Sequence, residues 1–297
     1  KCLHKYTIMN AIHDNAVLGF QVEHNGPKNI DDETDSKVYE NEKHMLKVLD
    51  VVLNKSYHKL GFQNGKGKTY VGLLTTSSIQ QAQKYYELLT KVKNGETPLV
   101  IDEKIKQVLP DFPKFAITYS VSENKDNSMV NQDKMKKSID DYNKMFGTKF
   151  DISQIQSYNG NLNKRLARKD SKYKSRNEQL DLVIVVDRLL TGFDAPCMST
   201  IYIDRQPMGP HDLIQAFSRT NRIFDKNKAF GQIVTFQAPV LFKECVDNAV
   251  KLYSAGGTKE SVLAEWNVVE PAFKKALSAL RVSAEKPEDI ASESIRS

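Results

Sequence analysis

The sequence has no apolar run long enough to cross a bilayer; the longest, Leu182–Val186, is a single short stretch, which excludes a transmembrane helix and any membrane partner that would need one. It has no stretch that reads as a signal peptide, and it begins at Lys1 rather than Met, which predicts a segment of a longer chain. Cysteine is scarce. Cys2, Cys197 and Cys245 are odd in number and far apart, so they form neither a disulfide framework nor a metal-ligand spacing. A reducing cytoplasm is the setting this predicts. No internal repeat is visible. What is present is ordinary for a globular chain of 297 residues: 40% hydrophobic and 27% charged. The net charge of +6 favours a polyanionic partner without requiring one.

Five segments read as strands: Tyr70–Thr76, Lys114–Ser120, Leu182–Val186, Thr200–Ile203 and Gly231–Phe236. Leu182–Val186 is apolar on both faces, which predicts a central strand of a covered parallel sheet. Helical spacing falls between them, at Ile79, Ala82, Tyr86 and Leu89 after an N-cap at Ser77 or Ser78, and at Met135, Ile139, Tyr142 and Phe146. Leu213, Ile214 and Phe217 follow Pro210, a good first-turn residue. Leu241, Cys245, Ala249 and Leu252 make another stripe. Met45, Leu46, Leu49, Val52 and Leu53 mark a helix before the first strand, and Tyr6–Glu23 is mixed and compatible with an extended segment. Strands alternating with helices imply a parallel α/β architecture. Beyond Ala255-Gly256-Gly257, the spacing of Phe273, Ala276, Leu277 and Leu280 predicts an amphipathic helix.

Two stretches carry candidate chemistry. In Gln215-Ala216-Phe217-Ser218-Arg219-Thr220-Asn221-Arg222 the arginines are three apart, which on a helix puts both guanidiniums on nearly one side. Planar, permanently charged forks suit phosphate oxygens and stabilise the charge that develops in phosphoryl transfer. A solvated basic helix end accounts for two arginines equally simply. Asp187–Pro196 follows the most apolar strand, and ligands of open α/β sheets bind at strand carboxyl ends. There Gly192 permits close backbone approach and Asp194 offers a ribose acceptor, although a strand-to-helix loop with a capping Asp has the same composition.

Together the stretches are more specific. Leu-Leu-Thr-Gly-Phe-Asp-Ala-Pro, ending at Pro196, followed about twenty residues later by Gln-Ala-Phe-Ser-Arg-Thr-Asn-Arg, resembles motifs V and VI of superfamily 2 helicases and translocases. The form most resembles that of the restriction (R, motor) subunit of type I restriction–modification enzymes. Leu3–Asp14 and Leu73–Ser78 resemble the segment after the first lobe and the motif IV region of the same family.

The resemblance implies a RecA-like parallel sheet flanked by helices, the P-loop NTPase type of second helicase lobe, with a short helical C-terminal extension. It divides the chain into a lobe-connecting segment with the first helix (1–69), lobe 2 (70–254) and the extension (255–297). Arg222 would be the arginine finger and Arg219 a second phosphate contact. Gly192, Asp194 and Gln215 would face the nucleotide, and Thr191, Thr75 and Ser77 the DNA backbone. ATP and Mg2+ would be held mainly by lobe 1 of the full-length chain, and no residue here is assigned to a metal. Double-stranded DNA and the modification and specificity subunits would be the other partners. The activity implied is an ATP-dependent type I site-specific deoxyribonuclease, with this part inert alone. Two other readings remain: a RecA-like module that only docks other subunits, and an unrelated nucleotide enzyme using the Gly192–Asp194 loop.

The run Lys164, Arg165, Arg168, Lys169, Lys172, Lys174 and Arg176 suits phosphate neutralisation, with Lys172 and Lys174 as DNA contacts, and suits a solvated loop equally. Gly65-Lys66-Gly67-Lys68-Thr69 is a decoy for a phosphate loop: Phe62 stands where its first glycine belongs, and it leads into a strand rather than a helix. Asp31-Asp32-Glu33 has no hydrophobic strand before it and reads as a solvated acidic loop rather than a magnesium site.

Overall fold

The computed structural model describes residues 8–26, 36–119, 128–186, 194–253 and 266–283. Thr191, Gly192 and the acidic triplet Asp31-Asp32-Glu33 lie outside the described residues. In chain order the elements are α1 (Ile8–His13), β1 (Gly19–His24), α2 (Glu42–Asn54), β2 (Val71–Thr76), α3 (Ile79–Lys93), α4 (Glu103–Val108), β3 (Phe115–Thr118), α5 (Ser128–Phe146), α6 (Ile155–Ala167), β4 (Leu182–Val185), β5 (Met198–Asp204), α7 (Pro210–Phe217), β6 (Phe230–Thr235), α8 (Pro239–Tyr253) and α9 (Trp266–Ser283).

All five segments read as strands are strands, and a sixth, β1, comes from the mixed segment before residue 24. The six form one sheet in the order β1-β6-β5-β2-β4-β3, every pair parallel. This is the parallel α/β arrangement expected from the alternation of strands and helices. β1 lacks a strong sequence signal because it is an edge strand with only Phe20 buried, packed 5.6 Å from the ring of Phe217. Its pairing with β6 means that the sheet already includes residues before position 70.

Leu182–Val185 is an interior strand, as its composition predicts. It lies between β2 and the edge strand β3. An all-apolar strand needs only two covered faces, and one place from the edge meets that condition as well as the middle does.

The core is continuous across the sheet and includes Leu49 and Leu53 of α2, Leu73 and Leu74 of β2, Tyr85 and Leu89 of α3, and Ile201 and Ile203 of β5, all fully buried. Ser78 rather than Ser77 caps α3, accepting the Gln81 N–H at 3.2 Å. α9 is the helix expected beyond residue 255. Its Trp266 and Phe273 pack on one another, ring centroids 5.4 Å apart, yet both remain exposed.

Because every strand runs the same way, segments leading into strands gather at one edge of the sheet and segments leaving them at the other. β2 is six residues long, so the two edges are about 20 Å apart at the strand rise.

Candidate functional site

The amino edge collects the arginines. α7 starts at Pro210, buries Leu213, Ile214, Ala216 and Phe217, and leaves Gln215 on its exposed face. The helix then stops. The N–H groups of Ser218, Arg219 and Thr220 turn back on Ile214, Ala216 and Phe217, and the Thr220 hydroxyl donates to the Phe217 carbonyl at 2.9 Å.

Arg219 and Arg222 therefore stand on a turn, not on the helix face that their spacing predicts. Local periodicity is overridden by tertiary contacts. Thr220 and Asn221 are buried, the Asn221 carbonyl accepts the Leu18 N–H at 2.7 Å, and Thr220 lies against Gly231 at the start of β6. A Cβ on Gly231 would meet the Thr220 hydroxyl at 2.3 Å and its backbone carbonyl carbon at 2.9 Å. The missing side chain of Gly231 is thus what lets the arginine turn seat on the sheet.

Asp194 faces this turn from the segment leading into β5. Its carboxylate accepts Lys169 Nζ at 2.9 Å and lies 3.7 Å from Arg222 Nε. The hydrogen bond from Lys169, the charge of that lysine and the two arginines hold the Asp194 carboxyl below its ordinary range, against partial burial. Arg219 is shifted down, first by burial and then by repulsion from Arg222, with Asp194 opposing. Lys169, Arg219 and Arg222 thus converge on one carboxylate, and the local field is positive.

The placement corrects the expectation of a carboxyl-edge site. That expectation attached Asp194 to the strand it follows; by residue 194 the chain has already crossed to the start of β5, and the arginines precede β6. Gln215 lies on the outer face of α7, where its carbonyl accepts the Ser218 hydroxyl at 2.7 Å.

The basic run divides in two. Arg165, Arg168 and Arg176 are buried. Arg165 bonds the Glu178 carboxylate and carbonyl and the Asn161 side chain. Arg168, in the left-handed region at φ 51°, donates to the carbonyls of Thr69 and Leu180. Arg176 pairs with both oxygens of Asp181 and with Asp111. These are internal staples. Lys164, Lys169, Lys172 and Lys174 are the exposed part.

Of the expected DNA contacts, Thr75 is corrected: it is fully buried and its hydroxyl donates to the Val186 carbonyl at 2.7 Å. Ser77 is exposed just past β2, at the carboxyl edge, and its hydroxyl donates to Gln81 Oε1. The Lys174 carbonyl accepts the same Gln179 amide that bonds Gly67, so that lysine belongs to the amino edge, roughly 20 Å from Ser77 across β2. The fold does not bring these contacts together. Gly65–Thr69 leads into β2 as a turn, with Gly65 and Gly67 at φ 85° and 83°.

Sequence reading missed two groups. Asp204, fully buried at the end of β5, accepts hydrogen bonds from His44, Gln81, Tyr85 and Gln237 at 2.6–3.0 Å, tying the carboxyl edge to α2 and α3. Lys228 is buried beside the arginine turn and donates to the carbonyls of Pro196 and Arg222. Neither has a local signal, since each partner set is assembled from several segments. Among the described residues no group of three His, Cys, Asp or Glu is placed to hold a metal ion, and no helix is long and apolar enough to cross a membrane.

Residues 68–238 match the family model of type I restriction enzyme subunit R domain 3. The chain is 33% identical over 302 residues to the type I restriction enzyme SsaAORF53P endonuclease subunit of Staphylococcus saprophyticus, covering 98% of this chain and 30% of that protein. It is 31% identical over 276 residues to the SauCOLORF180P endonuclease subunit of Staphylococcus aureus strain COL, covering 89% and 27%. A solved structure of the ATP-dependent type ISP restriction-modification enzyme LlaBIII bound to DNA aligns with 93% of this chain and 18% of its own, at 11% identity and a TM-score of 0.45. The chain spans about 30% of the length of the first of these relatives. With more than half of its residues matched by the family model and near-complete alignment to a staphylococcal relative, the chain belongs to the R, or endonuclease, subunit family of type I restriction enzymes.

Proposed function

We propose that this chain is the second lobe of an ATP-driven translocase of double-stranded DNA, supplying half of a nucleotide site to the longer subunit. The observation that carries the reading is the convergence of Arg219, Arg222 and Lys169 on Asp194. Two guanidiniums beside one another repel, and Arg219 is partly desolvated; a polyphosphate at the amino edge relieves both costs. The residues therefore fit ATP as an anion. ATP bound against this edge supplies the phosphoryl group whose transfer to water releases the energy for movement.

This chain's own part is electrostatic. Arg222 would stabilise charge developing on the transferred group, Arg219 would bind the phosphates, and Asp194 would orient Arg222 or accept a ribose hydroxyl. Gly192 would permit close backbone approach, and Gln215 would couple nucleotide state to the cleft. Mg2+ would be carried with the nucleotide by the acidic groups of lobe 1. Lys172 and Lys174 are exposed cations suited to the DNA backbone at the amino edge; Thr191 would be a further contact, and Ser77, at the carboxyl edge, would meet a separate stretch of the backbone. The modification and specificity subunits would be partners of the whole subunit.

Arg222→Ala in the full-length subunit is expected to abolish DNA-stimulated ATP hydrolysis while DNA binding persists; unchanged turnover would refute the motor reading. The chain alone is expected to show no DNA-stimulated ATPase. A second reading, a module that docks other subunits, is favoured by the exposed apolar residues Trp266, Val269, Phe273 and Leu280 of α9. It predicts normal hydrolysis and failed assembly for Arg222→Ala.

A further inference from the structure

We infer that Lys228 is a positioning residue for the proposed nucleotide site, a buried cation that locks the Asp194 segment and the arginine turn into one arrangement. The inference rests on the nucleotide reading above and adds a residue that neither motif contains.

Lys228 lies just before β6 and is 3% exposed. Its ammonium donates to the Pro196 carbonyl and to the Arg222 carbonyl, both at 2.7 Å. The first belongs to the segment that carries Asp194, two residues away; the second belongs to the arginine itself. One ammonium therefore fixes the peptide plane from which the Arg222 side chain departs, and ties it to the backbone that presents its carboxylate partner.

The rest of the turn closes around it. Asp225 accepts the backbone N–H groups of Asn227 and Lys228 and the Tyr70 hydroxyl. Phe224 packs edge-on against Tyr70, ring centroids 6.2 Å apart. Residues 222–228 thus form a loop whose last side chain returns to its first carbonyl.

A buried cation beside Arg222 is electrostatically costly. Burial pushes Lys228 down to about 8; the Cys197 thiol and Asp225 oppose that shift and Arg222 adds to it. The ammonium therefore titrates within the range of an enzyme assay. Above pH 8 the two charge-assisted hydrogen bonds become weaker neutral ones, and the arginine turn is held less firmly.

Stability moves the other way. A lysine whose folded-state value lies below its unfolded value of 10.5 destabilises the fold below about pH 8, and that penalty is relieved as pH rises toward the unfolded value. On this residue's account the protein gains stability over the pH range in which it loses rate. A purely structural lysine with the same shift would leave the rate per folded molecule unchanged over that range.

The test uses the full-length subunit with DNA. The turnover number and the KM for ATP are measured from about pH 6.5 to 9.5, with a melting curve at each pH, for wild type, Lys228→Arg, Lys228→Met and Arg222→Ala. Wild-type turnover is expected to fall on an alkaline limb centred near 8 without a matching fall in melting temperature. Lys228→Arg, which stays charged, should lose that limb. Lys228→Met should lower turnover on the order of a hundredfold at neutral pH, corrected for folded fraction, with KM little changed, as for a displaced catalytic group.

A wild-type profile without the limb overturns the proposal, and so does a folded Lys228→Arg that keeps it. A folded Lys228→Met within about threefold of wild type does the same. If Lys228→Arg does not fold, the wild-type profile and Lys228→Met decide. Arg222→Ala separates the two levels: wild-type turnover in that variant sinks the nucleotide reading and this inference with it. An inactive Arg222→Ala alongside an overturning Lys228 result sinks only the role of Lys228.

Discussion

Replacing Arg176 with Met asks whether the basic run is a binding surface or a scaffold. The guanidinium is 5% exposed and bonds both carboxylate oxygens of Asp181, itself 2% exposed, while Nε reaches Asp111 at 3.0 Å. Asp181 also accepts the Lys114 N–H at 2.8 Å, and its own N–H donates to the Lys114 carbonyl, so the pair pins the starts of β3 and β4. Met keeps much of the stem and removes the charge, which leaves Asp181 buried with one backbone donor. Removing one partner of a buried pair costs about 3–5 kcal/mol; the half-exposed Asp111 contact adds less than about 1 kcal/mol. Against a typical domain stability of roughly 5–15 kcal/mol, the variant should fold with a much lower urea midpoint and an unchanged slope. Lys172→Met, in the same run but exposed, should shift stability by no more than about 0.5 kcal/mol. An Arg176→Met loss under about 1 kcal/mol, or an equal loss from Lys172→Met, would refute the division of the run into staples and surface.

Three further outcomes follow from the geometry. Lys172→Glu with Lys174→Glu should weaken binding of the full-length subunit to double-stranded DNA and flatten the plot of log affinity against log salt by about two units; an unchanged slope would leave both lysines to solvent. Gly231→Ala should push Thr220 and the arginine turn off β6, since its Cβ would sit 2.3 Å from the Thr220 hydroxyl, so ATP turnover in the full-length subunit should drop while a circular dichroism spectrum stays that of the folded chain. Asp111 and Asp194 are both held below the ordinary carboxylate value of 3.8: at Asp111 burial, the largest single effect, pushes upward and is outweighed by Arg176 and Lys114 together, and at Asp194 the Lys169 hydrogen bond leads. Their stabilisation is present above that value and is lost as pH falls through the lower folded-state values. The urea midpoint should therefore decline below about pH 4, and the decline should be shallower in Arg176→Met; an equally steep decline there would show that Asp111 does not carry it.

The α/β class and the family were legible in the chain itself. Strands such as Val71–Thr76 and Leu182–Val185 announce themselves because a strand covered on both faces must be apolar at consecutive positions. The motif ending at Pro196 and the motif ending at Arg222 are contiguous, so linear reading finds them. What local spacing misread is as instructive. A three-residue interval implies a shared helix face only if the helix continues, and α7 ends at Phe217 because Thr220 is drawn into the sheet beside Gly231. Thr75 has the residue type of a backbone contact, but β2 buries it.

By itself, then, the sequence determined the fold class, five of the strands, several of the helices and the family, since periodicity and contiguous motifs are properties of neighbours in the chain; β1, α4 and α6 gave no such signal. Only the tertiary structure decided which charges are available. Arg168 reaches a carbonyl 99 positions away, Arg176 a carboxylate 65 away, and Lys228 a carbonyl 32 away. Burial and pairing at such separations are set by how strands and helices stack, and no window along the chain contains both partners. The same stacking carried Asp194, Arg219 and Arg222 to the amino edge of the sheet and set beside them Lys169 and Lys228, two cations that lie outside both motifs.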